Sequence, residues 1–190
     1  MADNTAEHKL NSEWTMWIGD ANEKDWKKKL QPVCTFGTVE SFWSNFNHLP
    51  TPGRCFFDGD SRASVGDDHK VIDEFCLFKK GIKPEWEDAA NKDGGCYFVR
   101  KTLEPDQADI YWQNTCLAMI GEALDAGDQV AGARIVDKGK SFPLYRFELW
   151  IKTAEKNHVD AIKEKFNEAL IEGAGSFPKG HPKFEFKKHK

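Results

Sequence analysis

The sequence has no long apolar run, no paired-cysteine motif and no metal-binding spacing. None of its apolar stretches approaches the roughly 18 residues that a membrane span needs, so we expect no membrane association. Its five cysteines are odd in number and include no Cys-x-x-Cys pair, which argues against a disulfide framework and a zinc knuckle. Its six histidines show no metal-ligand pattern, so we expect no metal and no other cofactor.

The chain also lacks an excess of positive charge. Its formal net charge is −4, which argues against a protein that binds nucleic acid along an extended basic face. Any nucleic-acid contact must therefore be local.

The length and composition predict a single domain. At 190 residues and 39% hydrophobic, we expect one domain (1–190), with an N-terminal arm at 1–11 and a basic tail at about 179–190. The N-terminus has no secretory signal, so we expect a cytoplasmic location, with nuclear import left open.

Hydrophobic periodicity predicts an α+β fold. Alternating or apolar segments predict strands near 12–18, 33–36, 74–78, 96–103, 130–136, 145–153 and 183–186. Apolar spacings of three and four predict helices at about 38–48, with Thr38 as N-cap, at 108–126 and at 154–171. We expect the three helices to lie on one face of an antiparallel sheet.

Two further segments have a distinct pattern. The middle helix has two apolar stripes, one through Trp112 and Cys116 and one through Ile110 and Leu117. The second stripe is either more core or a docking surface for another protein. Residues 50–73 are rich in Pro, Gly, Ser and Asp without apolar period, which predicts a long loop.

Tryptophan is abundant, with seven in the chain. We assign Trp14, Trp17 and Trp112 to the core. Trp26 and Trp86 differ because they lie in polar surroundings, NEKDWKKKL and KPEWEDAANKDGG. An exposed indole beside acidic groups suits a flat cation, because the ring face attracts positive charge by about 0.5 to 2 kcal/mol.

Several motifs together resemble the eukaryotic translation initiation factor 4E family. They are HKLNSEWTMW, Trp26, FGTVESFW, GIKPEWED, NKDGG, LAMIGE and the LW that ends at Trp150, in the family's order and spacing. The resemblance implies a curved antiparallel β-sheet backed by three α-helices on its convex face. It also implies a concave pocket that binds the 7-methylguanosine cap of mRNA, in a non-enzymatic translation factor that is itself monomeric.

The resemblance also implies residue roles at the base of the cap. Trp26 and Trp86 are expected to sandwich the methylated base, Glu87 to accept hydrogen bonds from its edge, and Trp150 to contact the methyl group. Methylation at N7 makes guanine cationic, which strengthens both the stacking and the hydrogen bonds to a carboxylate.

The expected phosphate contacts are Arg146 and either Lys138 or Lys140. Their register is open because the segment before Trp150 is three residues longer than the family pattern. Where the family has Arg after the paired glycines, this chain has Cys96, which removes one charge directed at the phosphates.

A second surface, here called the dorsal surface, is expected to bind a helical peptide of a 4G-type initiation scaffold or of a 4E-binding repressor. Its family positions match His8, Val39, Trp43, Gln113, Asn114, Leu117 and Gly121. Three residues depart from the family: Lys9 replaces Pro, while Gln113 and Asn114 replace Leu and Glu. These departures predict a changed choice of partner.

Two alternative functions remain open from sequence. A divergent cap-binding paralogue would act as a translational repressor or an mRNA storage factor. A cysteine-dependent enzyme would use Cys96 or Cys34 as nucleophile beside a histidine, although no motif spacing supports it.

Overall fold

The computed structural model describes residues 7–125, 128–172 and 183–189. Within those ranges no helix is long and apolar enough to cross a membrane. The elements in chain order are β1 (Lys9–Asp20), α1 (Trp26–Lys29), β2 (Leu30–Thr38), α2 (Val39–Phe46), α3 (Pro52–Cys55), β3 (Ser64–Val65), β4 (Lys70–Lys79), β5 (Gly95–Lys101), α4 (Pro105–Ile120), β6 (Val130–Asp137), β7 (Tyr145–Ile151), α5 (Lys156–Ile171) and β8 (Glu185–Lys188).

The strands form one open, curved antiparallel sheet in the order β2-β1-β4-β6-β7-β5-β8, with the short β3 paired to β4. Consecutive side chains of a strand point to opposite faces, so each strand contributes to two layers. The three long helices cover one face and build the main core there, around the fully buried Phe42, Trp112 and Phe166. The predicted α+β fold, a curved antiparallel sheet backed by three helices, is confirmed.

Local capping explains where the helices begin and end. Thr38 caps α2 as predicted, and its hydroxyl oxygen accepts the backbone N–H of Ser41 at 3.1 Å while the Ser41 hydroxyl oxygen accepts the N–H of Thr38. Helix α4 begins at Pro105, earlier than predicted, because proline fits the first turn of a helix. It ends at Ile120 with Gly121 as C-cap, so the predicted helical extension over 121–125 is wrong.

The prediction of a long loop over residues 50–73 is wrong in part, because this segment contains α3, β3 and the start of β4. Thr51 caps α3, and the following Phe56 is 1% exposed. Asp137 anchors the continuation by accepting the backbone N–H of Phe57 at 2.9 Å and the Nε–H of Arg62 at 2.7 Å. Buried aromatic rings and a buried carboxylate therefore tie the segment to the sheet.

Two of the three tryptophans assigned to the core are fully buried under the helices. Trp14 is 1% exposed and Trp112 is 2% exposed. Trp17 is half-buried and packs on the opposite face of the sheet, which none of the three long helices covers. That surface, called the helix-free face below, carries the residues that the sequence pointed to as a ligand site.

Candidate nucleic-acid interface

The helix-free face has its own small apolar cluster, formed by Cys76, Phe78, Cys96, Ala131 and Trp150. Phe78 packs its ring edge-on to Trp150, with centroids 5.5 Å apart. Gly132 lies in the strand between them, and a Cβ there would be 2.5 Å from Cδ2 of Phe78. Glycine at this position thus allows the two aromatic rings to form a floor.

Trp26 lies at one side of this floor because α1 begins there. Asp25 caps the short helix by accepting the backbone N–H of Lys27 at 3.1 Å. Trp26 is the first helical residue and is 58% exposed, with the Lys27 ammonium 5.6 Å from its ring centroid. An exposed indole in this position is available for stacking.

Trp86 and Glu87 lie on the same side of the sheet, in the loop between β4 and β5. Trp86 is 51% exposed and Glu87 is exposed. The loop is braced from beneath by Asp88, whose carboxylate accepts the backbone N–H of Lys83 at 3.0 Å. Asn91, 1% exposed, donates to the Lys83 carbonyl at 2.9 Å. The backbone is therefore held while the two side chains remain free of the core.

These parts enclose an open cavity of about 370 Å³. The cavity brings together five of the predicted site residues from three separate parts of the chain, namely α1, the β4–β5 loop and β7. Its lining is Trp26, Leu30, Pro84, Glu85, Trp86, Glu87, Cys96, Arg134, Arg146, Glu148, Trp150, Lys187, Lys188 and His189. Two smaller cavities among the described residues lie on the helix side, and α4 contributes to the lining of both.

A buried ionic network lies beside the aromatic floor. Glu148 is 1% exposed, and its carboxylate meets the Nε atoms of Arg134 and Arg146 at 2.6 Å each. The indole N–H of Trp150 donates to the same carboxylate at 2.8 Å. Arg134 also pairs with Glu74 at 2.9 Å and lies 5.3 Å from the Trp150 ring centroid. The network therefore orients Trp150 and both arginines.

The charges of this network shift the pKa values of its members. Burial alone would raise the pKa of Glu148, but the two arginines outweigh it and the net pKa lies below the ordinary value. For Lys138, partial burial and the nearby positive charges of Arg134 and Arg146 lower the pKa. The site is therefore locally rich in positive charge despite the net negative charge of the chain.

The predicted phosphate residues fare differently. Arg146 lines the cavity, whereas Lys138, which follows β6 directly, is absent from the cavity lining. Lys140 is exposed at the β6–β7 turn and is absent from the cavity lining, so the structure does not bring it to the pocket. Arg134 was missed by the sequence reasoning. Two features of the sequence could have indicated it. Arg134 is a charged residue in the middle of the apolar segment 130–136, and a possible ion-pair partner, Glu148, lies two residues before Trp150.

The C-terminal strand lies within the predicted basic tail and contributes residues to the cavity lining. Of that tail, residues 183–189 are described and 179–182 and 190 lie outside the described residues. Strand β8 pairs with β5 so that Lys187 is the Cα partner of Cys96. His189 packs on Trp150 with ring centroids 4.4 Å apart, and its Nδ1 lies 2.7 Å from the Asn91 carbonyl oxygen. Pairing at a sheet edge is a long-range contact that local patterns do not reveal.

The N-terminal half of the dorsal surface is assembled on the helix side of the sheet. The backbone N–H of Val39 donates to the His8 carbonyl at 2.9 Å, and the His8 ring is 2.6 Å from the Glu40 carboxylate. Trp43 follows one turn later on α2, half-buried against the main core and edge-on to Phe42. Val39 is 36% exposed. Apolar surface is therefore presented around Trp43.

Helix α4 supplies the other predicted dorsal residues. Leu117 is half-buried, and Gln113 and Gly121 are exposed. Asn114 differs, because its side-chain amide donates to the carbonyls of Leu170 at 3.1 Å and Glu172 at 2.7 Å. It thus satisfies backbone groups at the end of α5, an interaction that the expected Glu would not make by donation.

The cysteines have the character of buried hydrophobic residues. Burial raises the pKa of Cys96 to about 11 and that of Cys55 to about 11. Burial also raises the pKa of Cys34, of Cys76 and of Cys116. A thiol with a raised pKa is protonated at neutral pH and is a poor nucleophile.

Fold and site together define a class: an α+β protein whose curved sheet carries helices on one face and an open, aromatic, partly cationic pocket on the other. The sequence model of the eukaryotic initiation factor 4E family matches residues 9–190. The chain therefore belongs to that family.

Known relatives agree with this assignment. The chain is 37% identical over 169 residues to eukaryotic translation initiation factor 4E1 of Drosophila melanogaster, covering 86% of this chain but only 58% of the relative's length. The structure of Ascaris suum eIF4E-3 with m7G cap aligns with a TM-score of 0.78 at 28% identity, over 97% of this chain and 92% of that one. Caenorhabditis elegans eIF4E-3 in complex with the 4E-binding protein Mextli and cap analog aligns with a TM-score of 0.75 at 28% identity, over 96% and 93%.

Proposed function

We propose that this chain binds the 7-methylguanosine cap of mRNA and recruits a scaffold or repressor protein through its dorsal surface, without catalysing a reaction. The observation that carries the proposal is the convergence of Trp26, Trp86, Glu87 and Arg146 on one open cavity of about 370 Å³. The solved complex of Ascaris suum eIF4E-3 with m7G cap supports the same ligand class.

The base of the cap is bound by stacking and by its edge. Trp26 and Trp86 are the two exposed indoles of the cavity, and they hold the cationic base between them. Glu87 accepts hydrogen bonds from the N1–H and N2 amino groups, and the backbone N–H of Trp86 donates to O6. Trp150, fixed by Glu148 and His189, contacts the methyl group. Unmethylated guanine lacks the positive charge and therefore binds more weakly.

The triphosphate contacts the cationic end of the cavity. Arg146 is the principal contact, and Lys138 adds charge at longer range. Cys96 provides no charge on this wall. Because Glu74 and Glu148 neutralise part of the positive charge of the arginines, the protein depends more on the base than on the phosphates for affinity.

The dorsal surface binds an amphipathic helical peptide, with Trp43 as its apolar anchor. The complex of Caenorhabditis elegans eIF4E-3 with Mextli supports a 4E-binding protein as partner. The side-chain amide of Asn114 is already hydrogen-bonded to backbone carbonyls at the end of α5, and Gln113 carries no carboxylate. A peptide that needs a carboxylate acceptor at these two positions is therefore disfavoured. This favours a 4E-binding repressor or an adapted scaffold as partner.

The test is a fluorescence titration with 7-methyl-GTP and with GTP. Stacking should quench the indoles for the methylated ligand at concentrations where GTP has no effect. Glu87→Gln removes charge-assisted hydrogen bonds of about 1.5 to 3 kcal/mol each, so the Kd should rise at least about ten-fold. Trp26→Ala and Trp86→Ala should abolish the quenching response.

Glu85→Gln is the matched control, because Glu85 lines the same cavity on the other side of Trp86. It should leave the Kd for 7-methyl-GTP within about two-fold, as expected for a carboxylate that makes no hydrogen bond to the base. Equal quenching by GTP and 7-methyl-GTP would overturn the proposed function. An unchanged Kd in Glu87→Gln would remove Glu87 from the site.

A further inference from the structure

Two arginines face each other across neighbouring strands at the phosphate end of the cavity. Arg100 on β5 is the Cα partner of Arg146 on β7. Like charges directly opposite each other destabilise a sheet, so such a pair is favoured where an anion lies between them. Arg146 is held by Glu148, whereas Arg100 is exposed and makes no recorded ion pair with any described residue.

An aromatic ring lies under both guanidinium groups. The guanidinium carbon of Arg146 is 4.5 Å from the ring centroid of Phe98, and that of Arg100 is 5.6 Å from it. Phe98 is half-buried and packs beside the floor of the cavity. Phe98, Arg100 and Arg146 are called the Phe98 platform below. Flat guanidinium planes held on a ring offer both a stacking surface and positive charge.

The platform continues directly from the cavity. Along β7, Trp150 is followed outward by Glu148 and then by Arg146, with Cys96, Phe98 and Arg100 as their partners on β5. Four residues along a strand span about 13 Å, so the platform begins where the cap's triphosphate leads away from the base. Arg146 belongs to both sites.

We propose that the Phe98 platform binds the first nucleotide of the RNA after the cap, stacking its base on the guanidinium planes and pairing its phosphate with Arg100. Proteins that bind single strands combine positive charge with stacking surfaces in this way. Glu185, the β8 partner of Phe98, makes no recorded ion pair with Arg100 within the described chain, so that charge remains available. Continuity with the cap cavity favours RNA over an acidic peptide. The inference rests on the proposed cap binding.

The experiment compares two ligands on the intact chain, 7-methyl-GTP and a capped RNA tetranucleotide. Wild type should bind the capped RNA about five-fold more tightly or better, since stacking a base adds free energy that 7-methyl-GTP lacks. Arg100→Ala should lose this advantage and keep its affinity for 7-methyl-GTP within about two-fold. Its slope of log K against log salt for the capped RNA should be shallower by about 0.7.

Arg54→Ala is the matched control, because Arg54 is an exposed arginine on α3, on the helix side of the sheet. It should change neither ligand's affinity. Arg100→Lys separates charge from stacking: it should keep the salt slope and lose part of the advantage of capped RNA.

Three outcomes would overturn the inference. They are equal binding of both ligands by wild type, an undiminished advantage in Arg100→Ala, and an equal loss in Arg54→Ala. Failure of wild type to bind 7-methyl-GTP would instead overturn the proposed cap binding on which the inference rests.

Discussion

Replacing Glu148 by glutamine should destabilise the fold out of proportion to the size of the change. Glu148→Gln keeps the shape of the side chain and an oxygen for the Trp150 N–H, but removes the charge between Arg134 and Arg146. Removing one member of a buried ion pair costs about 3 to 5 kcal/mol. Arg134 keeps Glu74 at 2.9 Å and the Arg146 side chain is 20% exposed, so we expect about 2 to 3 kcal/mol.

Urea unfolding measures this loss, and we expect the midpoint to fall by about 1 M. The pH dependence gives a second readout. The pKa of Glu148 is lower in the folded protein than in the unfolded chain, so its stabilisation is present above the unfolded pKa of about 4.3. It is lost as pH falls through the folded pKa. The gap between wild type and Glu148→Gln should therefore be constant near neutral pH and shrink in acid.

Glu13→Gln is the control for exposure. Glu13 pairs with Lys80 at 2.8 Å, yet both side chains are 55% exposed, so its loss should cost less than about 1 kcal/mol. A cost for Glu148→Gln as small as that for Glu13→Gln, or a gap that does not change in acid, would refute the assignment of a stabilising buried network.

Two further substitutions test the other surfaces. Trp43→Ala should leave the Kd for 7-methyl-GTP within about two-fold. It should weaken the binding of a helical 4E-binding peptide by about 2 kcal/mol or more in calorimetry, because Trp43 is an apolar anchor on the helix side. Equal loss of affinity for both ligands would mark Trp43 as purely structural. Asp137→Ala leaves the Phe57 N–H and Arg62 without their buried acceptor, so hydrogen exchange over residues 56–65 should accelerate and the free energy of unfolding should fall by about 3 kcal/mol. Unchanged exchange there would show that Asp137 does not anchor the segment.

The local parts of the fold were predictable because their causes are local. Thr38 caps its helix through contacts within four residues, and the apolar spacing of α5 is visible in the chain itself. The end of α4 was placed too late, because Ala123 and Leu124 continue the apolar pattern while Gly121 ends the helix. The segment 50–73 was misjudged because its order comes from Asp109 and Asp137, which lie far along the chain.

The sequence by itself determined the α+β class, the family and the residues whose chemistry suits a cationic base, since Trp26, Trp86 and Glu87 stand in polar surroundings. Tertiary structure alone decided which charges accompany them. Strand pairing places Arg134 between Glu74 and Glu148, brings Lys187 beside Cys96 and sets Arg100 opposite Arg146. Lys140, equally plausible in sequence, lies away from the cavity. The register of a sheet brings together residues that are distant in the chain, and the local pattern of apolar and polar residues does not specify it.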